Sequence, residues 1–243
     1  MALVADLGGG TSDFSVIRLC NQYIRKAERT SDVLANTGIR VGGNDFDKDL
    51  SLAAVMPEMG YKTTYGEKNL EVPTMPFHDL AEWSKVNSLY NVKLRSQILQ
   101  ILHQAHQKEK YRRLLNVLEE ETGHALLAAV EEAKIALTTA ATYRAAFSFI
   151  EPGLSITTTR KQFNEAIHEN ISRITTSALE CLNQAQIKSS KITLIILTGG
   201  TTEVPAVQAA FKNLFPTAAI ADENKLSSVG LGLGYDSRYK FGY

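Results

Sequence analysis

The chain has 243 residues, 44% of them hydrophobic, and its 26 Lys and Arg are matched by 26 Asp and Glu. That composition builds one large globular domain or two small ones, and the charge balance excludes a global field that would draw the chain onto nucleic acid or anionic lipid. Cys20 and Cys181 are far apart and outside any CxxC or CxxH pattern, which speaks against a disulfide framework and a zinc site. No apolar run approaches the roughly 18 residues of a membrane span, and no signal-peptide layout is present, so a reducing cytoplasm is the expected compartment.

In chain order, "ALVAD" (2–6) and "DFSVIRL" (13–19) read as strands joined by a glycine loop. "YIRKAERTSDVLANTGI" holds at least one more strand, with Asn36 and Gly38 as turn formers, giving an antiparallel meander. A strand this close to Met1 suggests the downstream part of a longer protein. In "VGGNDFDKDLSLAAVMPEMG" the period becomes helical: Gly42 and Gly43 end a strand, Asn44 or Asp45 caps, and Phe46, Leu50, Ala53 and Ala54 follow until Pro57. Residues 60–76 read as loop and 78–141 as almost wholly helical. "YRAAFSFI" and "LSITTTR" form a hairpin around Glu151, Pro152 and Gly153. Thr158 or Thr159 then caps one long amphipathic helix with Phe163, Ile167, Ile174 and Leu182 on a shared face. "KITLIIL" is a buried strand, followed by a Gly199-Gly200 turn and a helix ending at Pro216. "AAIAD" is a short strand, and "SSVGLGLGYDSRYKF" a closing helix whose glycines permit close packing. The expected division is a core of residues 1–59 and 142–243 with a helical insert over 60–141.

Three glycine turns carry the chemistry. In "DLGGGTSD", Gly8, Gly9 and Gly10 expose backbone N–H groups in a concavity suited to anionic oxygens, and Thr11 adds a hydroxyl. Asp6 and Asp13 would repel a phosphate unless a hard cation such as Mg²⁺, with its waters, stands between. The alternative is a tight hairpin with solubilising aspartates. The turn at Gly42 and Gly43 aims a helix N-terminus, which attracts anions. Gly199 and Gly200 lie at the C-terminal end of a buried strand, where α/β folds gather ligands. Either turn alone is explained by packing, whereas one nucleotide touched from several sides explains all three.

The segments "DLGGGTSDFSVI", "GIRVGGNDFDKDL", "EEAKIALTT" and "LTGGTTEVPAVQ" resemble, in order and rough spacing, the second lobe of the ATPase domain of DnaK-type heat-shock chaperones. "IRVGGNDFD" with the long helical segment is similar to the short YegD-like branch. The resemblance implies an α/β actin-like (ribonuclease H-like) lobe with a mixed sheet, flanking helices and an α-rich insert. It implies ATP or ADP with Mg²⁺ as ligands. Asp6 and Asp13 match aspartates that orient Mg²⁺ waters and the attacking water, and Gly8, Gly9, Gly10 and Thr11 match the loop holding the β- and γ-phosphates. Phosphoryl transfer there is positioning and charge stabilisation. Gly43 matches a contact on the phosphate side; Glu131, Lys134 and Thr138 match a helix facing ribose and adenine; Gly199, Gly200 and Thr201 match the turn closing the nucleoside pocket. Without the resemblance, Glu131 and Lys134 read as an exposed intrahelical ion pair.

The sequence also departs from the family. Ile135 and Glu203 stand where adenine is commonly sandwiched by arginines. Losing two cation–π contacts of roughly 0.5 to 2 kcal/mol each weakens binding on the order of five- to a thousand-fold. Ser12 replaces the aromatic residue usual before the second loop aspartate. The family's first lobe is expected before Met1, so the chain is expected to hold half a nucleotide cleft and to hydrolyse ATP negligibly on its own. Its expected partners are the nucleotide, that first lobe, and a protein client or co-chaperone. Two other readings stay open: a lobe of an actin-like sugar kinase or polyphosphate enzyme, and a degenerate interaction module binding through its insert. Elsewhere the plain readings are favoured: His103 and His106 a solvated helix face, "QKEKYRR" an exposed basic face, Trp83 and Phe77 core of the insert, and the Asn170 sequon unused.

Overall fold

The computed structural model describes residues 1–19, 29–221 and 228–242; Cys20 and part of the segment expected to hold a further strand lie outside them. Alternation builds the first hairpin. In β1 (Ala2–Leu7) Leu3, Ala5 and Leu7 are buried while Val4 and Asp6 are half-buried, and in β2 (Ser12–Ile17) Phe14 and Val16 face the core. β3 (Val33–Ile39) pairs antiparallel with β2, and Gly38 lies inside it, opposite Asp13, rather than in a turn.

α1 (Gly43–Leu50) starts earlier than its sequence suggests. Neither Asn44 nor Asp45 caps it; the Asp45 Oδ2 instead accepts from the Gly42 N–H at 2.9 Å, the reach-back half of a capping box. The helical path does not stop at Pro57. It widens into a π turn over Ser51–Val55, tightens into a 3₁₀ turn over Met56–Met59, and ends at Gly60 with φ 95°. Pro57 sits in the first turn of that 3₁₀ segment, where its missing N–H has no partner to lose.

The stretch expected as loop contains a small ladder, β4 (Thr64–Tyr65) with β5 (Leu70–Glu71). Four separate helices follow: α2 (Met75–Leu80), α3 (Val92–Gln104), α4 (Lys108–Glu119) and α5 (Gly123–Thr139). β6 (Thr142–Ala146) and β7 (Ser155–Thr159) form the expected hairpin, with Gly153 at φ 81°. Thr159, not Thr158, caps α6 (Arg160–Ala166) in a full capping box: its hydroxyl accepts from Gln162 N–H and Gln162 Oε1 accepts from Thr159 N–H, both at 3.1 Å. Thr159→Ala is expected to lower stability by about 1 kcal/mol; an unchanged urea midpoint would show that the box contributes nothing. The single long helix breaks at Ile167, whose ψ of 0° opens the turn as its side chain enters the core, and α7 (His168–Gln184) follows.

β8 (Leu194–Thr198) leads through a 3₁₀ turn, Gly200–Glu203, into α8 (Pro205–Leu214), so the third glycine turn does not open the helix directly. β9 (Ala219–Ala221) and α9 (Ser228–Phe241) close the chain. Gly230, Gly232 and Gly234 of α9 meet no atom within 4 Å, so the close packing expected of them is not formed among the described residues.

The chain divides into two compact units, Met1–Asp45 with Glu169–Tyr243, and Phe46–His168. The first is built on a mixed five-stranded sheet in the order β3-β2-β1-β8-β9, with β1–β8 and β8–β9 parallel. Phe14 packs on Phe211 of α8 at 6.2 Å between ring centroids, and Cys181 of α7 donates its S–H to the Phe14 carbonyl at 3.5 Å. In the second unit Phe46 meets Phe163 edge-on at 6.4 Å, and Phe77, Tyr61 and Tyr111 form a ring cluster.

Phe77 is core, as its sequence context suggests, but Trp83 is 46% exposed and stacks on His124, whose ring is tied to Asn87 Oδ1 at 3.1 Å. "QKEKYRR" is not a free basic face: Tyr111 is fully buried, Arg113 makes two bonds to the Glu151 carboxylate, and Lys110 and Arg113 both bind Glu58. His106 bonds Thr64 Oγ1 at 2.9 Å, and the described residues contain no metal-binding group of three or more His, Cys, Asp or Glu. Among them, no helix is long and apolar enough to cross a membrane.

Candidate functional site

In the first unit the three glycine turns meet. The β1–β2 hairpin is closed by the Gly8 N–H donating to the Thr11 carbonyl at 2.9 Å, and the register sets Asp6 directly opposite Asp13. From the second turn, Gly43 N–H donates to the Gly8 carbonyl at 3.0 Å and Asn44 N–H to the Gly9 carbonyl at 2.7 Å. From the third, Thr201 Oγ1 donates to the same Gly8 carbonyl at 2.8 Å. The glycines are what allow this approach. A Cβ at Gly42 would stand 2.6 Å from the Gly9 carbonyl oxygen, and one at Gly199 only 2.3 Å from that of Leu7.

These bonds sort the loop's polar groups into two sets. The carbonyls of Gly8 and Gly9 are held by the neighbouring turns, while the N–H groups of Gly9, Gly10 and Thr11, all exposed, have no acceptor among the described residues. The N–H groups of Gly43 and Asn44 belong to the opposite set, since each already serves a loop carbonyl. Gly200 faces open space. Thr11 Oγ1 donates to Asp13 Oδ2 at 3.1 Å.

Asp6 and Asp13 lie side by side on adjacent strands, and neither has a cationic partner among the described residues. Like charges directly opposite on a sheet are destabilising, and a hard divalent cation with its waters is the complement such a pair accepts. The donor set therefore fits Mg²⁺. Two supporting residues carry no obvious motif. Gly38 clears room for Asp13, whose Oδ1 would lie 2.5 Å from a Cβ there, and buried Ser12 anchors the hairpin by donating to the Val41 carbonyl at 2.7 Å.

In the second unit, Glu131, Lys134 and Thr138 lie on α5. Lys134 does not pair with Glu131. Its Nζ donates to Asp47 Oδ2 of α1 at 2.7 Å, with side-chain exposures of 14% and 7%. Burial pushes the Asp47 carboxyl above its ordinary pKa; Lys134 opposes that shift and the Glu131 charge adds to it. Thr138 Oγ1 donates to the Ile135 carbonyl at 2.7 Å, Ile135 is 59% exposed, and Glu203 is exposed in the 3₁₀ turn of the first unit. The sequence offers no local cue to Asp47, because its partner is on a helix far along the chain.

A family model described as "Hsp70 protein" matches residues 96–233, more than half of the chain. The chain belongs to the Hsp70 family. Its mixed sheet with flanking helices is the actin-like ATPase lobe of that family, as the four motifs imply. The Hsp70 match takes in α5 and the Gly199–Thr201 turn; the first two glycine turns precede it. A "Chaperone protein dnaK" of Guillardia theta is 28% identical over 213 residues, which span 87% of this chain and 26% of that protein. The chain thus covers about a quarter of the length of this curated relative.

Proposed function

We propose that the chain is the second lobe of the ATPase domain of a DnaK-like chaperone, in its YegD-like branch, and that its first unit takes the polyphosphate of ATP or ADP with Mg²⁺. The observation that carries this is the sorting of the glycine loop: its carbonyls are tied back by Gly43, Asn44 and Thr201, and its Gly9, Gly10 and Thr11 N–H groups are left to an anion. Bound Mg²⁺ supplies charge neutralisation for the phosphates and offsets the Asp6–Asp13 repulsion. The residues do the rest: the three N–H groups orient the phosphate oxygens, while Asp6 and Asp13 hold the cation's waters. For the second unit we propose the nucleoside-side roles of Glu131, Lys134 and Thr138 that the resemblance implies, supported by the fixed position of the Lys134 ammonium. Hydrolysis by this chain alone is proposed to be negligible, and a protein client is the proposed target of the whole chaperone.

Titration calorimetry of ADP into the chain, with and without Mg²⁺, tests the reading. Binding is expected to need Mg²⁺ and to weaken about tenfold or more, the equivalent of about 1.4 kcal/mol, in Asp6→Asn. No heat with Mg²⁺ and millimolar ADP, in the chain and again with the first lobe attached, would sink the nucleotide assignment. That outcome would favour a second reading, a degenerate interaction module, for which the 59% exposure of Ile135 on α5 is the motivating observation.

A further inference from the structure

Two polar side chains where α1 gives way to the π turn, and the α5 ammonium that reaches one of them, are incompletely hydrogen-bonded. Asp47 is 5% exposed and Ser51, four residues on and therefore on the same helix face, is fully buried. Lys134 Nζ bonds Asp47 Oδ2 at 2.7 Å, while Asp47 Oδ1 and Ser51 Oγ are buried with no hydrogen-bond partner. The ammonium has three donors, of which this bond uses one. Buried polar atoms in folded proteins are nearly always paired, and where side chains fall short an ordered water with about three partners completes them.

We propose that Asp47, Ser51 and Lys134 form a binding site for one buried water. The water donates to Asp47 Oδ1, shares a hydrogen bond with Ser51 Oγ and accepts from Lys134 Nζ. Each orphaned atom then has a partner, and the arrangement explains why a hydroxyl is buried at the first residue of the π turn Ser51–Val55, where an apolar side chain of similar size would otherwise pack better. Such turns mark places where the regular hydrogen-bond ladder is interrupted. The water would join the start of the turn to α5 and fix the ammonium from a second side.

A crystal structure of the chain at a resolution that shows waters, together with Ser51→Ala, tests the site. The expected result is a density peak within hydrogen-bond distance of all three groups, and a Tm lower by about 2 to 8 °C in the variant. A Ser51 hydroxyl bonded directly to Asp47, with no water between them, overturns the proposal. So does a variant with unchanged or higher Tm, since removing an idle buried hydroxyl costs nothing. If Ser51→Ala does not fold, water-to-amide cross-relaxation in the unaltered chain decides: a long-lived water beside Ser51 supports the site, and none there overturns it.

Discussion

Gly199→Ala is expected to destabilise the chain by about 2 to 6 kcal/mol, adding the cost of a backbone conformation that only glycine adopts freely to that of an overpacked contact. Gly199 has φ 86° and ψ 149°. Its would-be Cβ points at the backbone, 2.3 Å from the Leu7 carbonyl oxygen and 3.0 Å from Asp6 Oδ1. A side-chain neighbour could swing aside, but Leu7 is held in β1 between β2 and β8. The damage also falls on Asp6, so loss of Mg²⁺-dependent ADP binding should accompany loss of stability. Gly200→Ala is the control. Its Cβ meets nothing within 4 Å, and its effect should stay within about 1 kcal/mol. Equal guanidinium midpoints for the two variants would show that the turn is not constrained as described.

Lys134→Met should cost about 3 to 5 kcal/mol at neutral pH, because it leaves the Asp47 carboxylate buried without its cation. The loss should depend on pH, with a sign fixed by Asp47. Burial holds its folded pKa above the ordinary 3.8, so the native state takes up its proton more readily than the unfolded chain. The stability tied to this group is full below 3.8, falls as pH rises through the raised value, and is level above it. Removing Lys134 takes away the influence that lowers this pKa, so the falling window extends to higher pH. The two proteins should converge in acid and separate towards neutrality in denaturation curves recorded across pH. A difference that stays constant with pH would rule out Asp47 as its source. Asp47→Leu combined with Lys134→Met should recover most of the stability, since an apolar pair can replace a buried ion pair.

Much of the first unit was legible because its signals are local. Period-two alternation marks β1 and β2, and the surplus glycine of "LGGGTS" marks a loop with more than a turn to make. The hairpin register that opposes Asp6 and Asp13 follows from the short loop between them. What was not legible depends on distant partners. Gly38 looks like a turn residue until its place opposite Asp13 is known, and the Gly43 N–H looks free until the Gly8 carbonyl is set against it. Lys134 sits three residues from Glu131 in sequence, yet its ammonium binds a carboxylate 87 positions away. Trp83 reads as core because it is a lone aromatic in a helical stretch, whereas in the fold His124 gives it a surface stack. The break at Ile167 is a single rotated peptide in an unbroken apolar pattern, and periodicity does not register it.

The sheet order has a consequence for how the chain is made. β1 lies at the centre of the sheet, with β2 beside it in sequence, but its other neighbour is β8, so that Ala2 through Asp6 pair with Leu194 through Thr198. During synthesis one edge of that strand emerges with its partner still unmade, and everything from Ser12 through Thr193 must follow before the edge can close. The second unit is continuous and can form in that interval, while the nonlocal parallel pairing is a slow, late step. Until then Leu3, Ala5 and the open backbone of β1 present an apolar, unpaired strand edge of the sort that invites aggregation. A lobe from a family of chaperones is itself, until β8 pairs with β1, a segment in need of one.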